Sequence, residues 1–118
     1  MSFIHTYKLD ELKQVVLVED LEEWCVELQL QAEDKRWKVE DTTIERGGRK
    51  WLICTDFLGI DHGWPNNPEH PLIFESMIFA EDDPAINQSM MRYRTWREAK
   101  AGHAEMVVRA LSGALAIL

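Results

Sequence analysis

A chain of 118 residues, 46% hydrophobic and with five tryptophans, is long enough to bury a core without disulfides or metals and too apolar to be disordered. Its net charge of −8 is uneven, summing to −7 over residues 1–45, −4 over residues 46–91 and +3 over residues 92–118. That balance opposes direct contact with nucleic acid, which needs clustered cations, and no apolar run reaches the ~20 residues of a bilayer span.

The N-terminal stretch MSFIHTYKLDELK has no apolar signal core and is weakly patterned, so export is not expected. Val15 to Val18 is a β-branched run suited to a strand. Asp20 reads as an N-cap, with Glu23 placed to close a capping box. Leu21, Trp24, Cys25, Leu28 and Ala32 then recur at helical spacing, which predicts an amphipathic helix over 21–34 with these residues inward. Cys25 and Cys54 have no CxxC spacing and read as reduced, buried side chains.

From Trp37 the period becomes two. Residues 37–44 and 51–60 alternate around Gly47-Gly48, a hairpin signal, and residues 72–80 form a third strand after the proline-rich loop WPNNPEHP. EDDPAINQ reads as a loop, and MMRYR as a short fourth strand. Thr95 and Glu98 open a C-terminal helix whose inner stripe is Ala99, His103, Met106, Ala110 and Ala114. Gly102 beside that stripe costs roughly 1 kcal/mol against alanine, a cost explained by close approach to a backbone of the sheet. The expected fold is one α+β domain over 1–118, an antiparallel meander of three to four strands with two helices packed on one face. Both faces of the two longest strands are apolar, so a homodimer or higher symmetric oligomer that covers the open face is expected, with the N-terminal segment folding back over the sheet as the competing solution.

Two constellations carry chemistry. Asp61, His62, His70, Glu75 and His103 are the residue types of an open metal site or an acid–base pair, but they match no metal-ligand spacing. Structural hydrogen bonding is the preferred reading, with Glu75 and His103 forming a polar core and Asp61 capping a strand-end turn. Trp64 with Arg92, Arg94 and Arg97 supplies a stacking ring and guanidiniums suited to an anion or a protein partner. Asp61 and His62, in the loop that carries Trp64, belong to that surface. No catalytic residue, cofactor or metal is assigned.

The segments FLGIDHGW, PLIFESMIF and YRTWREAKAGH resemble a family of small uncharacterised phage and prophage proteins. Its members carry FLGLDH, PPLLFETMVF and YxTxxEAxxGH segments in the same order, after a helix resembling DLEEWCVELQ. The likeness covers roughly residues 20–108 and rests on Asp61, His62, Pro71, Phe74, Glu75, Met77, Tyr93, Thr95, Ala99, Gly102 and His103. It departs at WPNNPEHP, where the family carries a glycine-rich loop. The resemblance implies an accessory protein in the cytoplasm of a bacterial host. With the acidic charge, it favours a non-enzymatic binder that inhibits a host protein (counter-defence, such as an anti-CRISPR) or sequesters a small anionic messenger, a signalling nucleotide. A small metal-dependent hydrolase using Asp61, His62, Glu75 and His103, or a virion assembly component, are the alternatives.

Overall fold

Strand alternation and two capped helices build the molecule, seen here in a computed structural model that describes residues 5–113, without the side chains of residues 84 and 87–89. β1 (Thr6–Leu9) and β2 (Val15–Val18) pair antiparallel, with Thr6 opposite Val18. Their turn is tied by the Asp10 carboxylate, which accepts from the backbone N–H of Leu12 and of Gln14. β1 is absent from the sequence expectation because TYKL is short and ambiguous in period.

α1 (Leu21–Asp34) follows, capped by Asp20, whose side chain accepts from the Glu22 N–H. Glu23 does not close a capping box onto Asp20 but reaches Lys8 at 3.4 Å. The expected inner stripe is also displaced. α1 buries no residue, Leu21 is 63% and Leu28 40% exposed, and Cys25 is exposed. The helix lies against the β1–β2 hairpin, not on the main sheet, and of its apolar residues Trp24 packs against the first core cluster. The Trp24 indole N–H donates to the Tyr7 carbonyl at 3.0 Å. Its ring flanks Gly59 together with Trp37, a position where φ of +80° favours glycine and a Cβ would crowd both rings.

The main sheet is a four-stranded antiparallel meander in chain order: β3 (Lys38–Arg46), β4 (Arg49–Phe57), β5 (Phe74–Ala80) and β6 (Asp83–Tyr93). Gly47 and Gly48 turn the first hairpin at φ +65° and +76°, the double left-handed conformation a two-residue hairpin favours. β6 begins at Asp83, earlier than its loop-like composition suggests, because its register with β5 runs back to Ala80–Asp83. α2 (Trp96–Ser112) crosses one face of this sheet, capped by Thr95 accepting from the Glu98 N–H. Ala99, His103, Met106 and Ala110 are its buried stripe, as expected; Ala114 lies outside the described residues. The architecture is α+β.

The core divides in two. One cluster holds Tyr7, Leu9, Trp37, Phe57, Ile73, Phe74 and Ala99, the other Ile44, Trp51, Ile53, Ile78, Met106 and Ala110. Trp37, Phe57, Phe74 and Trp96 run across the first cluster in edge-to-face contacts at 4.9, 5.2 and 6.3 Å. Gly102 is explained by a side chain instead of a backbone: a Cβ added there would run into the Tyr93 ring.

Gly102→Ala is therefore expected to lower the urea midpoint, corresponding to about 1–3 kcal/mol of overpacking despite alanine's helix preference. An unchanged or higher midpoint would show that the Tyr93 ring swings away freely.

Candidate functional site

Among the described residues a fully buried imidazole, that of His103, lies 1% exposed between the two core clusters. Its Nε2 bonds the Thr42 hydroxyl at 2.8 Å and its Nδ1 the Thr55 hydroxyl at 2.6 Å. Thr55 Oγ1 continues to Ser76 Oγ at 2.5 Å. A neutral imidazole carries one donor and one acceptor, and rotatable hydroxyls satisfy both. The chain thus runs from β3 through α2 to β4 and β5, and Glu40 Oε2 lies 3.9 Å from Nε2. Burial pushes the His103 pKa down; Glu40 and Asp41 pull it up, and Lys100 and Lys38 act with burial.

Glu75 is not its partner. Glu75 alternates with buried Phe74 and Ser76, so it points to the open face of the sheet, where it accepts from Arg92 Nε at 3.1 Å. Asp61 serves the loop beyond β4. Its carboxylate accepts from the backbone N–H of Gly63, Asn67 and Leu72 at 2.8, 2.9 and 2.9 Å. Burial works against that charge, but these donors and the Arg94 guanidinium outweigh it and hold the carboxyl below its ordinary value. His62 is exposed on the same loop and Trp64 is 94% exposed. Asp61, His62, Glu75 and His103 are therefore not one constellation: the loop, the open face and the α2 seam each hold a part.

The proposed anion surface is also divided. Arg92 is paired on the open face, and Trp64 does not line the cleft that Arg94 and Arg97 share. Arg94 and Arg97 do converge, around a cleft of about 560 Å³ between the β1–β2 turn, residues 68–71 and the start of α2. Lys13 enters it from the hairpin turn, its Nζ 4.9 Å above the Trp96 ring. Arg94 donates to the His70 carbonyl, which fixes its guanidinium and the loop together. Glu69 is the one carboxylate on the wall among the described residues, and buried Tyr7 completes it.

Lys13, Tyr7 and Trp96 were not singled out from the sequence. Lys13 carried a faint signal, a lysine beside Asp10 and Gln14 in a short polar interval before VVLV that reads as a turn. Nothing in the linear order places residue 7 beside residue 97. Cys54, on the open face, has its thiol pushed up to about 11, chiefly by burial and then by Asp41, and so stays protonated at neutral pH. Comparison with family models, curated proteins and solved structures found no match to this chain.

The buried imidazole sets a pH dependence. With the folded His103 held below its ordinary value of 6.5, the unfolded chain takes up its proton first as pH falls. The stability that neutral His103 supplies is full above about pH 6.5 and is lost progressively below it. The urea midpoint of the wild type is expected to fall more between about pH 7 and about pH 5 than that of His103→Gln, which cannot titrate. Parallel declines in the two proteins would contradict this assignment.

Proposed function

We propose that this chain is a non-enzymatic binding protein, an accessory protein of the phage or prophage kind its segments resemble, which acts by holding a component of the bacterial host. The observation that carries the reading is the gathering of Lys13, Arg94 and Arg97 around one cleft of a chain with net charge −8. A binding site needs donors held on a rigid frame, and this cleft has them: one helix start, one tied loop and one tied turn. The groups best suited to turnover are engaged elsewhere. Both nitrogens of His103 are bonded within the seam, and the Asp61 carboxylate accepts three backbone donors.

Protein purified from its host cells is expected to carry a small-molecule or protein adduct in native mass spectrometry. Arg97→Ala is expected to lose that adduct while keeping its circular dichroism. Multiple turnover of the bound species by the wild type would contradict the reading, as would an adduct indifferent to Arg97.

A second proposal, a homodimer, is favoured by the sheet face opposite α2. Leu52, Cys54, Met77 and Phe79 are only half-buried there, and Met90 is 45% exposed. The charges beside them are met within the face: Lys38 pairs with Asp56 at 2.6 Å and Asp41 at 2.9 Å, and Arg92 with Glu75. A largely apolar face whose charges are paired within it suits another copy of itself, in an isologous contact. Light scattering at micromolar concentration is expected to give twice the mass of one chain, reduced to one by Phe79→Lys. A monomeric wild type would contradict the proposal.

A further inference from the structure

The cleft contains a feature that its cations do not explain. The Tyr7 hydroxyl is buried, on a side chain 2% exposed, and has no hydrogen-bond partner among the described residues. Tyr7 lines the same cleft as Lys13, Arg94 and Arg97, at the N-terminal end of the 17-residue helix α2. A buried donor without an acceptor is costly, and proteins keep few of them. The other two such atoms, His5 Nδ1 and Trp37 Nε1, belong to residues outside the cleft.

We infer that the cleft binds the phosphate group of a small phosphorylated molecule, with Arg97 and the remaining N–H groups of Arg94 as its donors, together with the Tyr7 hydroxyl, which a small shift of the cleft wall would uncover. This deepens the binding reading above and rests on it. The chemistry is that of a dianion. Among the described residues three cations line the cleft against the single carboxylate of Glu69, and guanidiniums match phosphate oxygens two at a time. The positive end of the helix dipole adds to the same field. Arg94 arrives already anchored on the His70 carbonyl, so less side-chain freedom is lost on binding. Lys13 rests over Trp96 at the cleft and donates only a long hydrogen bond, 3.5 Å, to the Arg36 carbonyl. The cleft volume of about 560 Å³ suits a ligand of nucleotide size. Burial, and after it the charge of Asp61, push the Tyr7 pKa up, so its hydroxyl keeps the proton it would donate.

The test uses the full chain, with amide chemical shifts and calorimetry read against inorganic phosphate, adenosine monophosphate and adenosine. The two phosphate-bearing probes are expected to shift the amides of Lys13 and Thr95–Glu98, with affinity falling as salt rises, and adenosine to leave them in place. Tyr7→Phe is expected to keep or raise the melting temperature, since it removes an unpaired buried hydroxyl, and to weaken phosphate binding by about tenfold. Arg97→Ala is expected to weaken it at least as much. Adenosine binding as tightly as its monophosphate, or no shift with either phosphate probe, would overturn the inference. So would a Tyr7→Phe protein that melts lower and binds unchanged, because the hydroxyl would then serve the fold. Recovery of adenosine monophosphate as adenosine and phosphate would instead overturn the non-enzymatic reading, leaving the phosphate assignment in place.

Discussion

The molecule depends on one polar seam set into an apolar interface. Between the two core clusters, where α2 meets the sheet, Thr42, His103, Thr55 and Ser76 form a continuous hydrogen-bonded row. Apolar contact alone would hold α2 on the sheet but specify its rotation and slide weakly, because hydrophobic burial has no direction. An imidazole bonded on both nitrogens permits one placement. Any slip along the helix axis leaves a ring nitrogen and a hydroxyl unpaired in a dry interior, where that loss is expensive.

That placement reaches the cleft. Trp96 and Arg97 lie about two helical turns before His103 and are carried by the same rigid helix. The other walls are fixed by local hydrogen bonds: Asp10 ties the turn that presents Lys13, and Asp61 ties the loop that presents His70. The loop and the helix start are joined directly where Arg94 donates to His70. The conspicuous polar residues of the chain therefore divide into two groups. His103 and Asp61 hold the frame, and Arg97, Lys13 and Tyr7 face the space that the frame encloses.

The frame was far more legible in the sequence than the cleft. Asp20, Thr95 and the Gly47-Gly48 pair act through their immediate neighbours, so their meaning survives in the linear order. Strand alternation located β3, β4 and β5, and it contained the parity that separates Glu75 from His103, since Glu75 alternates with Phe74 and Ser76. The inner stripe of α1 misled because helical spacing reports an apolar face but not what will cover it; Trp24 docks, while Leu21 and Leu28 stay exposed. The start of β6 was hidden because pairing with β5 overrides the turn-like composition of EDDPAINQ. The cleft draws on residues 7, 13, 69–70 and 94–97, which only tertiary folding brings together. Arg94 and Arg97 were recognisable as anion partners, whereas Tyr7 gained its meaning only from being buried without an acceptor.

The seam itself is tested most directly by a double-mutant cycle between His103 and Thr55, with His103→Ala, Thr55→Val and the double variant compared by urea unfolding at neutral pH. If the hydroxyl–imidazole row seats α2, the two losses are not independent, and a coupling of about 1 kcal/mol or more is expected. Losses that simply add, with no coupling beyond about 0.3 kcal/mol, would show that apolar packing alone positions the helix, and would contradict the account.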